Sequence, residues 1–316
     1  MVNIDISKDM RNFINMFGKN SNILPINCKG RIIVSGMGGS GIGGYIASII
    51  FDNDEDKQII PWNNYSLPSW VNHNDYVICI SYSGNTAETL SAAKKAIQIG
   101  CKLEVITTGG KLLEIAKKNN SVIHLVEKGH QPRAALPLLI EPLLYKIGRK
   151  NLKNELQEIK KIKANILLVN KIAKKIQSKI PCIYAHGLMK PVAYRWRCQI
   201  EENAKQLAFH HEIPEMNHNE IVGWTNVKKD MVVILVRDNK EENHIRDRFN
   251  ATKKLAWLSQ DIEVIEIFAK GNYPLTRIIS SIYLGDLISL KLAKLNNINP
   301  TPVEIIEKLK GELGGK

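Results

Sequence analysis

Apolar and polar positions alternate along this chain in two rhythms. Short apolar runs at Arg31–Ser35, Gln58–Trp62, Tyr76–Ile80, Lys102–Ile106 and Val122–Val126 have strand length. Between them lie stretches whose apolar residues recur at helical spacing: one after Gly36–Gly44 through about Ile50, then 87–99, Lys111–Lys118 and Ala134–Ile147. A leading helix is expected over 4–18, where Met10, Phe13, Ile14 and Phe17 share a face. Leu152, Leu156, Ile159, Ile162 and Ile166 mark a further helical face in a lysine-rich stretch. The pattern then restarts. Strands are expected at Pro181–Ala185, Met231–Val236 and Ile262–Phe268, and helices at Pro191–Leu207, Asn243–Leu258 and Leu275–Leu295. Such alternation predicts an α/β fold with parallel sheets covered by helices on both faces. Two domains are expected, 1–150 and 151–316, with the boundary in a polar stretch near Lys150.

Length and composition narrow the function classes. The chain has 316 residues, enough for two cores, and its 44% hydrophobic and 24% charged content is that of a globular protein. No apolar run approaches the ~18 residues that read as a bilayer span. The start, Met1–Lys8, lacks the apolar core of a signal peptide. Five cysteines without CxxC spacing suit reduced thiols, so a cytoplasmic location is expected. The net charge of +13 raises nucleic-acid binding, but the lysines concentrate on the polar face of Lys146–Lys179, which offers little aromatic stacking surface. A solubilising surface that attracts anionic substrates fits better. Neither nucleic acid nor membrane is expected as a partner.

The candidate chemistry gathers at loops that follow strands. Ser81-Tyr82-Ser83-Gly84-Asn85-Thr86 puts three hydroxyls and a glycine on a strand-to-helix turn, where backbone N–H groups and the helix dipole favour phosphate. Gly36–Gly44 and Thr107–Gly110 should lie at the same carboxyl edge of the sheet, where open α/β folds bind ligands. Gly36-Met37-Gly38-Gly39-Ser40-Gly41 matches the dinucleotide glycine pattern, but the next strand ends Pro61-Trp62-Asn63-Asn64 without the acid that would hold a ribose. The glycines instead permit close backbone approach to a sugar, with Ser40 offering a hydroxyl. Arg133, just before a helix, could stabilise an oxyanion, or simply cap a loop. Glu201 and Glu202 point about 100° apart on a helix, so at most one serves a given site as a base. His210, His211 and His218 lack the spacing of a metal site. The terminal helix expected over 299–310 carries Lys308 and Lys310.

Taken together, Val34–Gly41, Ser81–Thr86, Thr107–Gly110, Pro132–Pro137, Glu202–Lys205 and His218-Asn219 resemble the archaeal-type bifunctional phosphoglucose/phosphomannose isomerases of the phosphoglucose isomerase superfamily. The resemblance follows the family's order over nearly the whole chain. It implies two sugar-isomerase (SIS) domains, a homodimer with the active site at the subunit interface, and neither cofactor nor metal. It implies that Ser81, Ser83 and Thr86 bind phosphate and that Gly38, Gly39 and Ser40 line the sugar. By the same resemblance Arg133 steadies an enediolate and Glu202 is the base. His218, from the neighbouring subunit, and Lys310 open the sugar ring, with Lys308 a competitor for the second role. Some members carry a threonine near the terminal helix linked to mannose phosphate; Val303 stands there, with Thr301 two residues before it. The implied activity interconverts glucose 6-phosphate and mannose 6-phosphate with fructose 6-phosphate. The alternatives are an aminosugar-phosphate isomerase and a sugar-phosphate-sensing SIS regulator.

Overall fold

A computed structural model describes residues 5–19, 23–26, 30–52, 57–227 and 230–314. Cys28 and the first residue of the expected helix 4–18 lie outside them. The chain divides into two compact units, one built on Asp9–Lys163 with Lys270–Ser280 and the other on Ala164–Ala269 with the chain from Ser281 onward.

The leading helix, whose residues up to Lys8 belong to the second unit and those from Asp9 to the first, is broken. Helix α1 (Ile6–Arg11) gives way to a 3-10 turn at Phe13–Met16. Asn12 accounts for the break, because its side chain accepts from Asn15 and so favours a local turn over a continued helix. Then follow β1 (Gly30–Ser35), α2 (Gly38–Ile50), β2 (Lys57–Trp62), β3 (Tyr76–Ser81), α3 (Ala87–Ile99), β4 (Lys102–Thr107), α4 (Gly110–Lys118), β5 (Val122–Leu125) and α5 (Leu136–Ile147). The five strands form a parallel sheet in the order β2-β1-β3-β4-β5. Pro61, which cannot donate to a ladder, is tolerated because β2 is an edge strand. On one face Val77, Cys79, Leu103 and Val105 pack against Ala92, Ala93 and Ala96 of α3 and Leu112 and Ala116 of α4. On the other, α2 comes so close that a Cβ on Gly44 would lie 3.0 Å from Val34.

The lysine-rich stretch forms two helices, α6 (Leu152–Ile159) in the first unit and α7 (Ile166–Ile176) in the second. Leu152, Leu156 and Ile159 are buried, but Ile166 is exposed: the chain leaves helical geometry between the two, so the apolar face ends at α6.

After α7 the chain continues with β6 (Ile180–Ala185), α8 (Lys190–Ala204), β7 (Phe209–Glu212), α9 (Glu220–Gly223), β8 (Met231–Arg237), α10 (Asn243–Thr252) and β9 (Glu263–Phe268) in the second unit. Then come α11 (Pro274–Leu295), which starts in the first unit and ends in the second, and α12 (Glu304–Gly314) in the second. The second unit's sheet is parallel, in the order β7-β6-β8-β9. Strand β7 is absent from the sequence expectation, because His210, His211 and Glu212 hide an edge strand behind polar residues. Helix α8 ends at Lys205 in the left-handed conformation (φ 52°), short of the expected Leu207. After α10 one π-helical turn, Lys253–Trp257, replaces the expected continuation to Leu258. Helix α12 begins later than expected, after Pro300 and Pro302, and leaves Ile305, Leu309 and Leu313 exposed. Among the described residues no helix is long and apolar enough to cross a membrane.

Candidate active site

The order β2-β1-β3 reverses direction between β1 and β3, which opens a crevice at their carboxyl ends. The loops after these strands carry the residues singled out in the sequence. Helix α2 begins at Gly38, whose φ of 49° suits glycine and whose missing side chain faces open space. Gly39 is needed for a different reason: a Cβ there would lie 2.8 Å from Arg133 Cα and 3.0 Å from Pro132 O. The glycine loop therefore seats the backbone of Pro132–Arg133 against its own. Ser40 Oγ accepts from the Tyr82 N–H at 3.2 Å, which ties α2 to the turn after β3.

In that turn Ser81 Oγ and Thr86 Oγ1 are 2.9 Å apart, and Gly84 N–H donates to Ser81 Oγ at 3.1 Å. Thr86 is the N-cap of α3, yet its hydroxyl makes no cap bond to the helix. A helix N-terminus that its N-cap side chain does not cap is one where backbone N–H groups and the dipole can meet an anion. Ser83 is exposed and Ser81 buried. Thr107–Gly110 lies at the same carboxyl edge, as expected, since Thr107 pairs with Ser81, and it and the start of α4 brace this turn. Thr108 Oγ1 donates to Tyr82 O (2.7 Å), Lys111 N–H to Asn85 Oδ1 (3.1 Å) and Leu112 N–H to Gly84 O (2.9 Å). Gly84, at φ 71°, sits so close that a Cβ would be 1.8 Å from Gly109 O.

Arg133 is buried in a 3-10 turn, Pro132–Ala134, with Nη1 3.4 Å from Gln131 Oε1. The approach to it is fixed by Asp9, which accepts from Gln131 N–H and bonds His130 Nδ1, each at 2.8 Å. Tyr82 adds a second tether: its hydroxyl donates to Glu127 O (2.9 Å) and accepts from His130 N–H (3.0 Å). Burial pushes the Tyr82 phenol above its ordinary range, so it remains a donor.

In the second unit α8 carries a half-buried polar stripe: Tyr194, Arg197, Cys198, Glu201 and Glu202. Arg197 Nε lies 3.7 Å from Glu201 Oε2 and stands over the Tyr194 ring. Burial raises the Glu201 carboxyl, with Arg197 and the Ala208 N–H pulling the other way. Just past the end of α8, Lys205 Nζ donates to Pro302 O at 2.7 Å, linking this helix to the approach to α12. Asn203 is buried and donates to Gln199 Oε1 and Ser289 Oγ, both at 2.9 Å. His210 and His211 point apart because they are consecutive on a strand. His210 packs on Tyr194, and burial, then Arg197, lowers it to about 4. His218 is exposed on the turn after β7; Lys308 and Lys310 are exposed on α12. Among the described residues no group of three or more His, Cys, Asp or Glu is arranged to hold a metal ion.

A family profile described as the bacterial phospho-glucose isomerase C-terminal SIS domain matches residues 168–313. A bifunctional phosphoglucose/phosphomannose isomerase of Aquifex aeolicus is 38% identical over 292 residues, covering 89% of this chain and 90% of that protein. The chain belongs to this isomerase family. A D-glucosamine-6-phosphate 4-epimerase of Sulfolobus acidocaldarius is also similar, 30% identical over 89% of this chain and 88% of its own length. Among solved structures, a hypothetical protein from Thermus thermophilus has a TM-score of 0.69 at 14% identity, covering 98% of this chain and 88% of that one, which is a likeness of fold.

The loops of the site rest on supporting side chains. Asp9, Asn63, Tyr82 and Asn85 each hold a loop through a side-chain bond, Asn63 Nδ2 donating to Gly36 O at 2.7 Å. Asn63, Tyr82 and Asn85 fall in or beside the singled-out loops and were legible as turn-bonding residues. Asp9 is 121 positions from His130 and carries no such signal.

Proposed function

We propose that the chain is an aldose–ketose isomerase interconverting glucose 6-phosphate and mannose 6-phosphate with fructose 6-phosphate, acting without cofactor or metal. The reading is carried by the hydroxyl-bearing turn Ser81–Thr86 at an N-terminus of α3 that no side chain caps. The family relationship supports it. In this reading Ser81, Ser83 and Thr86 hold the phosphate, exchanging their mutual bonds for bonds to its oxygens. Gly38, Gly39 and Ser40 line the sugar side.

The reaction starts on the ring form. His218 and Lys310 move the C1 hydroxyl proton to the ring oxygen as the C1–O5 bond breaks, giving the open aldehyde. Glu202 takes the proton from C2, and the C2–H electrons pass into the carbonyl, giving a cis-enediol(ate). The same carboxyl returns that proton to C1 while the hydroxyl proton passes from O2 to O1, which completes the ketose. Arg133 stabilises the enediolate; a single such donor is worth about 3–4 kcal/mol. Acceptance of mannose 6-phosphate requires rotation about C2–C3 in the intermediate and a roomy pocket there.

The working molecule of this proposal has two SIS-type domains, 1–150 and 151–316, and is a cytoplasmic homodimer whose sites are completed by His218 of the second copy. The exposure of His218 and of the apolar face of α12 supports a partner surface. Formation of fructose 6-phosphate from each aldose, measured with a chelator present, tests the function. Turnover of both aldoses is expected, and turnover of neither overturns it. The 4-epimerase relative favours one second reading, epimerisation of an amino-sugar phosphate, which product analysis with glucosamine 6-phosphate separates from isomerisation.

A further inference from the structure

The turn that carries His218 is fastened on both sides of that residue. Before it, Ile213 N–H donates to Ala185 O (2.9 Å), Ile213 O accepts from His186 Nδ1 (2.7 Å), and Ile213 and Met216 are buried. Across it, Asn219 Nδ2 donates to Glu215 Oε1 (2.9 Å), closing the turn, while Asn217 Nδ2 donates to Thr252 Oγ1 (2.8 Å). After it, Glu220 reaches back to the sheet. One of its oxygens accepts from the Tyr184 hydroxyl on β6, and the other lies 3.3 Å from His211 Nδ1 on β7. Tyr184 is itself locked in place. It is 1% exposed, its ring stacks on Trp257 at 5.1 Å, and its hydroxyl accepts from the Trp224 indole N–H at 3.1 Å. Burial, then the neighbouring negative charge, holds the phenol above its ordinary range, so it stays a neutral donor to the carboxylate.

These bonds leave His218 as the outward tip of an otherwise tied-down turn. Helix α9, which Glu220 begins, is a single turn and would fray on its own. The Asn219 backbone, at φ −144° and ψ −69°, stands between the imidazole and this anchor. We infer that Glu220 is a positioning residue for His218: its carboxylate, gripped by Tyr184 and standing beside His211, fixes the turn so that the imidazole is presented in one place. The inference rests on the ring-opening role proposed for His218 and goes beyond it, since it assigns a task to the Tyr184–Glu220–His211 group.

Positioning acts through His218 alone, and that separates it from a general contribution to folding. The test compares Glu220→Gln and Tyr184→Phe in the full chain with two substrates, glucose 6-phosphate, which must open, and 5-deoxyfructose 6-phosphate, which keeps the hexose spacing but lacks the hydroxyl that would close its ring. Anomer exchange of glucose 6-phosphate, followed by NMR, reports ring opening directly. Expected for both variants is a loss of about ten- to a hundred-fold in turnover and in anomer exchange of glucose 6-phosphate, the scale for a catalytic group displaced by about 1 Å. Turnover of 5-deoxyfructose 6-phosphate should stay within about twofold. In a His218→Ala background Glu220→Gln should cost nothing further, because the residue it serves is gone. Equal losses on both substrates, full additivity with His218→Ala, or unchanged anomer exchange would each overturn the inference. If His218→Ala itself leaves anomer exchange intact, the ring-opening reading fails first; if it abolishes exchange and Glu220→Gln does not lower it, the positioning role alone fails.

Discussion

Glu201 and Glu202 are neighbours on α8, yet their surroundings differ. Glu201 has Arg197 one turn before it, and burial holds its carboxyl above the ordinary range against the pull of Arg197 and the Ala208 N–H. In the proposed mechanism Glu202, the glutamate directly before Asn203-Ala204-Lys205, is the base. Glu202→Gln is expected to lower isomerase turnover by about 10²–10⁴-fold, the range for a general base, while an inhibitory sugar phosphate still binds. Glu201→Gln should change turnover little. Steady-state kinetics and inhibitor titration on the two variants decide the matter, and the reverse ranking would move the base to Glu201. At Gly39 the constraint is steric, since an alanine methyl would meet the Arg133 backbone at 2.8 Å. Gly39→Ala should therefore displace Arg133 and reduce turnover, with a smaller effect on thermal stability. Comparison of kcat with the melting temperature checks this.

At the scale of elements, the strands and helices of the first unit were legible because apolar runs such as Tyr76–Ile80 and alanine-rich helices such as 87–99 carry clear periods. Strand β7 was not, since Phe209-His210-His211-Glu212 buries its side chains only in part. The break in the leading helix depends on one asparagine side-chain bond, and the role of Thr107–Gly110 as a brace depends on contacts with residues some 25 positions away. Periodicity does not carry such contacts. The packing of β7 on α8 has a titratable consequence. Unfolded chain takes up a proton on His210 near its ordinary value of 6.5, whereas the folded chain does so only near about 4. Between these values acid favours the unfolded state, so this contribution to stability is intact above pH 6.5 and is lost as the pH falls toward 4. Urea unfolding at pH 7 and pH 5 should show the drop, and His210→Gln should make it smaller. In the same unit Arg195 and Asp286 form a buried two-point ion pair at 3.1 and 2.7 Å. Asp286→Ala removes the carboxylate that answers a buried guanidinium, a change that costs about 3–5 kcal/mol in unfolding free energy.

For the whole molecule, the decisive question is whether two copies share a site. If Glu202 and His218 of one site come from different copies, inactive Glu202→Gln and His218→Ala chains should rescue each other when unfolded and refolded together. A mixed dimer then holds one intact site and one doubly damaged site. A random mixture should recover roughly a quarter of wild-type activity, whereas sites built within one copy should recover none. Sedimentation of each variant alone, showing an unchanged dimer, completes the measurement. Exposed Ile305, Leu309 and Leu313 on α12 make the same arrangement testable by substitution: Leu309→Glu should weaken self-association if this face is covered by a second copy.

The contact between Gly84 and the Gly109 carbonyl also bears on how this scaffold could be re-engineered. Two turns that interlock at that range cannot be randomised one at a time, because any side chain at position 84, or any insertion between 107 and 110, would pry the pair apart. Libraries aimed at new anionic substrates are better placed at Ser83, which is exposed, with the interlocked glycines left untouched.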